Sequence, residues 1–224
     1  MDFNNKEARL KVGILGSGIV GRVLGAGFIQ HGHDAMLGTR DQNKQEIKDW
    51  LRETPGARAG SFEEAARFGD MIVLAALGRV IENIIDLAGP ANFDGKTVID
   101  ATNPLSDEPP VNGILQYTTG PNESLGERIQ AKLPAAHVVK AFNSVGNALM
   151  INPQFPQGAP TMFYCGDNEQ AKAQVAGVIR QFGWEPYDCG TIASARALEP
   201  LCMLWCLPGF LRNDWQHAFK MLTR

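Results

Sequence analysis

Short apolar runs alternate with longer amphipathic stretches along the chain. The runs carry few polar residues, which predicts strands that are buried on both faces of a parallel sheet. The stretches between them place apolar residues at helical spacing, and strands that alternate with helices are typical of an α/β fold. The predicted strands span residues 12–15, 35–37, 57–59, 71–76, 97–100, 137–142, 161–165 and 185–188.

Helix signals separate most of these strands. Ser61, with Glu64 three residues later, has the pattern of a capping box and predicts a helix that begins there. The other predicted helices span residues 19–31, 43–52, 80–88, 124–133, 168–182 and 194–207, and after a break at Gly209 a last helix spans residues 210–222. Residues 1–8 are polar and predict a loose lead-in to the first strand.

Two loops divide the chain. Residues 105–121, which contain several prolines and glycines, predict a long loop that is a candidate lid over a ligand. Residues 151–160 contain three prolines and predict a linker. We therefore expect a doubly wound Rossmann-type sheet in residues 1–150 and a small carboxyl-terminal α/β extension in residues 151–224. The extension is expected to pack on the sheet and to form an acceptor site or a dimer contact.

The turn after the first predicted strand has the spacing of a dinucleotide-binding motif. Gly16 permits a tight turn, Gly18 lets a pyrophosphate approach the backbone, and Gly21 lets the helix pack closely on the strand. The backbone amides around these glycines lie at a helix N-terminus, where unpaired N–H groups and the helix dipole favour an anion. The remaining residues predicted to surround the diphosphate are Ser17, Ile19 and Val20.

The end of the second predicted strand selects the dinucleotide. An NAD site usually has an acidic residue about 20 residues after the glycines, but Thr39 and Arg40 stand here, with Lys44 one helical turn later. A hydroxyl, a guanidinium and an ammonium suit a phosphate dianion, so the sequence predicts NADP(H). The alternative is that both cations are a solvated helix face, with Asp41 as a partner.

Three further strand ends reach the same edge of the predicted sheet. Leu77 follows the fourth strand and is expected to pack on the adenine or ribose. Asn103 follows the fifth strand, where it either reaches the nicotinamide or holds the loop as an Asx-turn before Pro104. Asn143 leaves the sixth strand at the same edge, so both amides are candidates for orienting a ligand.

Composition narrows the classes of function. The 224 residues are 44% hydrophobic and 20% charged, which is ordinary for a globular protein. A net charge of −3 without a basic block argues against nucleic acid or an anionic membrane as a partner. The polar start is unlike a signal peptide and no apolar run reaches about 18 residues, so a soluble cytoplasmic protein is expected. The four cysteines lack the spacing of a zinc site, and no metal is predicted.

Several motifs together resemble a known family. They are GILGSGIVG, GTRDQNK, DATNPL, VVKAFNSVG, MFYCGD and ALEPLCMLW. In this order and spacing they resemble the NADP-dependent reductases of the deazaflavin coenzyme F420, over nearly the whole chain from residue 11 to about residue 205. The reductase domains of membrane ferric reductases are similar and are expected to be more distant.

The resemblance implies the roles of particular residues. It matches Ser17, Gly18, Ile19 and Val20 to the diphosphate loop, Thr39, Arg40 and Lys44 to the ribose phosphate, and Leu77 to a dinucleotide contact. It matches the turn from Ala141 to Asn143 to the position under the nicotinamide, where the deazaflavin stacks in the family. Members of the family often carry a histidine where this chain has Asn143, so the second substrate stays open.

Hydride transfer between a nicotinamide and a flavin-type ring needs little acid–base help, because the chemistry belongs to the cofactors. The chain accordingly lacks a His–Asp or Ser–Lys catalytic arrangement. Asn103, Asn143 and Ser144 are the candidate orienting groups, and Met203 and Trp205 are candidate walls of the site. The expected function is an NADP(H)-dependent oxidoreductase, with deazaflavin or flavin as the second substrate and a small-molecule electron acceptor as the only partner besides a second copy in a homodimer.

Two other functions remain open. The amino-terminal half also resembles pyrroline carboxylate reductase and β-hydroxyacid dehydrogenases, which suggests a reductase of an imine, a carbonyl or a quinone. Those enzymes need a long helical second domain, and the residues after the nucleotide fold are expected to be too few to build it. Lys140 could act as an acid in such a reaction, but it is expected to lie within its strand. The other possible function is that of a non-catalytic NADP(H) sensor.

Overall fold

Strands and helices alternate through residues 9–224, which are the residues that the computed structural model describes. The strands are β1 (Lys11–Leu15), β2 (Asp34–Gly38), β3 (Arg58–Gly60), β4 (Met71–Leu74), β5 (Thr97–Asp100), β6 (His137–Lys140), β7 (Thr161–Gly166) and β8 (Glu185–Asp188). The helices are α1 (Ile19–Gln30), α2 (Gln45–Glu53), α3 (Phe62–Phe68), α4 (Gly78–Ala88), α5 (Leu125–Lys132), α6 (Glu169–Gln181) and α7 (Ala195–Arg212). The predicted lead-in over residues 1–8 lies outside the described residues.

All eight strands belong to one sheet, in the order β3-β2-β1-β4-β5-β6-β7-β8. The first six are parallel, whereas β7 runs antiparallel to β6 and β8 runs parallel to β7. The predicted doubly wound α/β sheet is confirmed, and residues after the proline-containing segment 151–160 continue it. The strand order reverses direction at β1 and β4: β2 and β3 extend the sheet on one side, and β5 to β8 extend it on the other. At such a switch point a crevice opens beyond the carboxyl ends of the strands.

The two faces of the sheet carry two separate hydrophobic cores. Along β1, Val12 and Ile14 belong to one core and Leu15 belongs to the other, as alternation along a strand requires. Helices α1, α2 and α6 cover the first face, and α3, α4, α5 and the start of α7 cover the second. Because both faces are covered, the central strand β4 is buried and apolar throughout, and such runs make the positions of the inner strands predictable from the sequence.

Helix α3 begins as its sequence pattern predicts. The Ser61 hydroxyl accepts the Glu64 backbone N–H at 3.1 Å, and a Glu64 carboxylate oxygen accepts the Ser61 backbone N–H at 2.7 Å. These reciprocal bonds form the capping box. They lower the pKa of Glu64, because the hydrogen bond from the Ser61 backbone favours its charged form.

The prediction of two carboxyl-terminal helices is wrong. One helix, α7, continues through Gly209 to Arg212, and residues 213–224 form neither helix nor strand. Gly209 lies within α7, and a Cβ there would lie 2.3 Å from the ring of Trp215, so glycine leaves room for that ring. The glycine lets the tail fold back onto the helix. Asn213, in the left-handed conformation with φ 54°, ends α7.

The loop between β5 and α5 is tied to α7. The Tyr117 hydroxyl donates to the backbone carbonyl of Glu199 at 2.6 Å, and burial raises the pKa of Tyr117, so the hydroxyl stays a neutral donor. At the loop tip, a Cβ on Gly113 would lie 3.1 Å from the Leu211 side chain. No helix within residues 9–224 is both long and apolar enough to cross a membrane.

Candidate functional site

A cavity of about 480 Å³ opens where the carboxyl ends of β1 and β4 meet. Nine of the eleven residues predicted to bind a dinucleotide line it: Gly16, Ser17, Gly18, Ile19, Val20, Thr39, Arg40, Lys44 and Leu77. Gly21 and Ala141 lie outside its lining. The structure therefore gathers residues from four separate segments into one crevice, and their contact with a dinucleotide stays a prediction.

The three motif glycines have different surroundings. Gly16 has φ +134°, and a Cβ on it would lie 2.3 Å from the Ala75 carbonyl oxygen, so only glycine fits. A Cβ on Gly21 would lie 2.0 Å from the Gly16 carbonyl oxygen, which lets α1 pack against the turn. A Cβ on Gly18 would meet no atom within 4 Å. Gly18 therefore has space on its cavity side, where a ligand can approach the backbone.

The N-terminus of α1 is arranged for an anion. The helix begins at Ile19 with Gly18 as its N-cap, and no side chain caps it. Its first turn contains no acidic residue. The backbone N–H groups of that turn have no partner within the helix, so they and the dipole favour a negative group in the cavity.

A cationic corner lies beside this turn. Thr39 is buried, and its hydroxyl oxygen accepts a hydrogen bond from the Ser17 hydroxyl at 3.0 Å, which joins β2 to the glycine turn. Arg40 and Lys44 are exposed, and among residues 9–224 neither has a carboxylate within 4.0 Å. Asp41, the alternative partner, accepts the Asn43 backbone N–H at 2.8 Å instead. Two cations without partners at the end of β2 suit an anion.

An apolar wall faces the cationic corner. Leu77 is 51% exposed at the cavity mouth. Val80, Asn83 and Ile84 line the same cavity, because positions three and four residues apart share one face of α4. Phe62, the first residue of α3, closes the floor. Sequence reasoning missed these last four residues, although the spacing on α4 is a signal that could have found three of them.

The predicted orienting amides meet at the next strand ends. The Asn103 side-chain amide donates to the Asn143 backbone carbonyl at 2.8 Å, and the Asn143 amide donates to the Asn103 side-chain oxygen at 3.1 Å. The Asn143 amide also donates to the Leu198 carbonyl at 2.7 Å. Phe142, which follows β6 and precedes Asn143, has φ 62°, an unusual value for a bulky residue, and is buried. Ser144 is buried just after Asn143.

A buried ion cluster underlies this pair of amides. The Lys140 ammonium lies 2.6 Å from Asp100 Oδ2 and 2.8 Å from Glu199 Oε1, and it donates to the Thr102 carbonyl at 2.9 Å. All three charged side chains are at most 1% exposed. Burial alone would lower the pKa of Lys140, but the two carboxylates outweigh it and raise that pKa.

Each carboxylate of the cluster also holds a backbone segment. Asp100 Oδ1 accepts the Thr102 backbone N–H at 2.9 Å and the Thr102 hydroxyl at 2.6 Å. Glu199 accepts the first two backbone N–H groups of α5, from Leu125 at 3.0 Å and Gly126 at 2.9 Å. The cluster thus joins β5, β6, α5 and α7. Sequence reasoning identified Lys140 as part of its strand but missed both acids.

The residues proposed as walls do not reach the cavity. Trp205 is 5% exposed, and its ring stacks on His217 with centroids 5.0 Å apart. A Cβ on Gly146 would lie 2.4 Å from the Trp205 ring, so the tryptophan packs directly against the backbone of the segment that follows Ser144. Met203 is likewise absent from the cavity lining. Among residues 9–224, no group of three or more His, Cys, Asp or Glu could hold a metal ion.

Part of the chain matches a known family, and most of it is similar in sequence to reductases of other organisms. Residues 11–104 match the family described as NADP oxidoreductase coenzyme F420-dependent. The chain is 32% identical over 212 residues to the metalloreductase STEAP3 of Rattus norvegicus, covering 92% of this chain and 40% of that protein. It is 27% identical over 148 residues to the F420-dependent NADP reductase of Methanocaldococcus jannaschii, covering 63% of each. Of these two relatives, the metalloreductase has the higher sequence identity to this chain.

The chain spans only part of both curated relatives, about two fifths of the metalloreductase. A crystal structure from Arthrobacter sp. FB24, described as a proposed F420-dependent NADP-reductase, covers 96% of this chain at TM-score 0.88 and 29% identity. The imine reductase of Aspergillus terreus, at 18% identity and TM-score 0.64, shares the fold alone. The resemblance to the NADP oxidoreductases described as coenzyme F420-dependent is thus confirmed, and the family model matches residues 11–104 of this chain.

Proposed function

We propose that the chain is an NADP(H)-dependent oxidoreductase that transfers hydride between NADPH and a flavin or deazaflavin ring. One observation carries the nucleotide choice. At the end of β2, where an NAD site has an acid, the cavity has Arg40 and Lys44 with no carboxylate partner in the described part of the chain. A guanidinium and an ammonium at that point favour a ribose phosphate.

The chain's residues fit the parts of this nucleotide. Gly18, with open space where a Cβ would be, supports close approach of the diphosphate to the backbone. The N-terminus of α1 would stabilise its negative charge. Thr39, Arg40 and Lys44 would hold the ribose phosphate, and Leu77 would cover the adenosine. When bound, the nucleotide supplies the hydride, and the protein supplies orientation and a dry environment.

The amide pair would hold the nicotinamide end. The Asn103 amide uses one donor on the Asn143 carbonyl, which leaves a second N–H for a ligand. Asn143 Oδ1 is buried and has no hydrogen-bond partner among the described residues, so its capacity to accept a hydrogen bond is unused. We propose that these groups and the Ser144 hydroxyl orient the carboxamide and the ring, with Ala141 at the turn beneath. None of them needs to exchange a proton with the substrate.

The relatives and the chemistry of the crevice together suggest the class of electron acceptor. Two relatives are described as F420-dependent, and a third is described as a metalloreductase. A planar deazaflavin or flavin suits an open crevice without acid–base groups, because such a ring can accept hydride directly from a nicotinamide. We propose a ring acceptor of this class over an imine, carbonyl or quinone, each of which gains from a nearby proton donor.

Nucleotide preference tests the core of the proposal. Arg40→Ala should weaken NADPH binding by at least about tenfold and leave NADH binding nearly unchanged, because a charge-assisted hydrogen bond contributes about 1.5–3 kcal/mol. Lys48→Ala is the matched control, because Lys48 is an exposed cation one helical turn beyond Lys44 that does not line the cavity. Calorimetric titration measures both affinities, and an equal loss for the two nucleotides would refute the assignment.

Stopped-flow oxidation of NADPH tests the reaction class. Free flavin, deazaflavin coenzyme F420, a quinone and a cyclic imine serve as acceptors for the same enzyme sample. Fast oxidation with a ring cofactor supports the proposal, and oxidation with the imine alone overturns it. Binding of NADPH without turnover of any acceptor would favour a sensor.

We also propose that residues 151–224 act as an extension that provides a homodimer contact in a cytoplasmic protein. Leu204, Phe210 and Leu211 on α7 are 53%, 45% and 58% exposed, which is unusual for large apolar side chains on one helix. Light scattering after size-exclusion chromatography measures the mass in solution. A monomer at micromolar concentration would contradict the dimer and leave the nucleotide assignment intact.

A further inference from the structure

Arg22 folds back over the glycine turn from the first turn of α1. Its guanidinium donates to the Ser17 carbonyl oxygen at 2.9 Å, while its own backbone N–H donates to the Gly18 carbonyl at 3.0 Å. Among residues 9–224, no carboxylate lies within 4.0 Å of this guanidinium. Arg22 does not line the cavity. Its charge is therefore directed at the backbone of the turn rather than at an acidic partner or at the crevice.

The bonded carbonyl determines where the next amide points. In a trans peptide the C=O and the following N–H point in opposite directions. A bond to the Ser17 carbonyl from the Arg22 side therefore fixes the Gly18 N–H on the opposite side. Gly18 lines the cavity and has open space where a Cβ would be, so an anion in the cavity can approach this N–H.

Without that bond the peptide has freedom to rotate. It joins Ser17 to Gly18, and its rotation changes φ of Gly18, a residue type that accepts both signs of φ at low cost. A rotated Ser17–Gly18 peptide would present its carbonyl oxygen to the cavity in place of the N–H. The oxygen would repel a diphosphate, so the orientation of one peptide separates an attractive turn from a repulsive one.

Arg22 is itself held in place by α2. The indole N–H of Trp50 donates to the Arg22 carbonyl oxygen at 2.9 Å, and Trp50 is 6% exposed. Lys44 is the N-cap residue of the same helix. On the other side of the turn, the Ser17 hydroxyl is bonded to Thr39 at 3.0 Å. The turn is thus braced against both elements that form the cationic corner.

We infer that Arg22 is a positioning residue that locks the Ser17–Gly18 peptide with its N–H toward the diphosphate. This inference rests on the proposed function, because it presumes that a dinucleotide diphosphate occupies the cavity. The diphosphate is common to NADPH and NADH, whereas the ribose phosphate is not. Loss of Arg22 should therefore weaken both nucleotides by the same factor, in contrast to loss of Arg40.

The experiment compares Arg22→Met, Arg22→Lys and the control Arg180→Met, which removes an exposed arginine from α6. Calorimetry measures the Kd of NADPH and NADH at low salt and at about 1 M salt. Arg22→Met should raise both Kd values by about tenfold or more, as expected for a charge-assisted hydrogen bond. The ratio between the two nucleotides should not change. Arg22→Lys should recover part of the loss, because lysine retains a charged donor.

High salt distinguishes an effect of Arg22 on the orientation of the Ser17–Gly18 peptide from simple electrostatic attraction of the ligand by its charge. A long-range charge effect would vanish at about 1 M salt, where the screening length is about 3 Å, but a misoriented peptide remains misoriented. The loss in Arg22→Met should therefore persist at high salt. The amide resonance of Gly18 in the ¹⁵N spectrum of the nucleotide-free protein should also shift in Arg22→Met and not in Arg180→Met. In steady-state kinetics the KM for NADPH should rise while kcat stays within about twofold.

The outcomes are distinct. If wild-type protein binds neither nucleotide, the proposed function fails. If wild-type protein binds NADPH and Arg22→Met leaves both Kd values unchanged, only the inference about Arg22 is overturned. A loss confined to NADPH, or one that disappears at high salt, also overturns it, because it would make Arg22 a contact or a distant charge. Should Arg22→Met fold poorly, the same criteria apply to Arg22→Ala, which also removes the donor and has high helix propensity.

Discussion

Lys140→Met tests the cost of leaving the buried carboxylates without their cation. In the wild-type protein Lys140 is fully buried and lies 2.6 Å from Asp100 and 2.8 Å from Glu199. Removal of one partner from a buried ion pair typically costs about 3–5 kcal/mol, because the remaining charge cannot be solvated. For a chain of this length about 2–4 °C is lost per kcal/mol, so the thermal midpoint should fall by roughly 6–20 °C.

Lys172→Met is the matched control. Lys172 also pairs with two carboxylates, at 2.7 Å from Glu169 and 3.0 Å from Asp188. Those acids are 84% and 39% exposed, so water solvates them when the lysine is lost. Lys172 itself is 7% exposed, but a pair whose carboxylates stay in water contributes about 0–1 kcal/mol, and the control should therefore lose no more than that. In each variant the lysine that is removed pairs with two carboxylates, and the main difference between the two sites is how deeply those carboxylates are buried.

Urea denaturation followed by circular dichroism measures both free energies of unfolding. Addition of Asp100→Asn and Glu199→Gln to Lys140→Met should recover a large part of the loss, because both orphaned charges disappear. Equal losses in Lys140→Met and Lys172→Met would refute the reasoning. The reasoning would also be refuted if the triple variant were no more stable than Lys140→Met alone, because the penalty would then not be electrostatic.

The pH dependence has a definite sign. The folded state raises the pKa of Lys140 above that of an unfolded lysine, about 10.4. The native state therefore holds the proton more tightly, and the resulting stability is fully present below about pH 10.4. It is lost as the pH rises further. Wild-type protein should lose stability above that pH through this group, and Lys140→Met should lack this part of the decline.

The remaining predictions concern glycines, a helix cap and thiols. Gly18→Ala should keep the wild-type thermal midpoint, since its Cβ meets no atom within 4 Å, yet weaken NADPH binding by about tenfold or more in a fluorescence titration. Gly16→Ala should lower the midpoint or prevent folding, because of its φ of +134° and a contact at 2.3 Å; stability like that of Gly18→Ala would contradict this. Ser61→Ala should cost about 1 kcal/mol in urea denaturation through loss of the cap of α3, and no cost would mean that the capping box is redundant. Iodoacetamide at pH 8 should label Cys206 before Cys165, as measured by mass spectrometry. A hydrogen bond from Cys202 lowers the pKa of Cys206, whereas burial raises the pKa of Cys165 to about 12. Labelling of Cys165 first would contradict this prediction.

Local signals accounted for most of the fold and for one half of the site. The glycine turn and the residues after β2 are recognisable because a ligand-binding turn needs particular residues at fixed spacing. The break predicted at Gly209 shows the limit of such signals. A glycine in a helix has low propensity in isolation, but the ring of Trp215 packs against it and compensates.

The other half of the site depends on contacts between distant residues. Asp100 and Lys140 occupy paired positions in β5 and β6, so their meeting follows once the strand order is known. Glu199 comes from α7, and no periodicity within that helix indicates that its side chain reaches the start of α5. The same holds for Asn143, whose amide is bonded to the carbonyl of Leu198.

The sequence by itself determined the alternation of strands and helices, the glycine turn and the cationic corner. These features depend on residues close together in the chain, where hydrophobic period and backbone geometry act directly. Only the tertiary structure decided that Arg22 bonds back to the turn and that three charges are buried together at the next strand ends. Such contacts depend on how elements pack, because a buried charge is stable only where packing brings its partners within bonding distance.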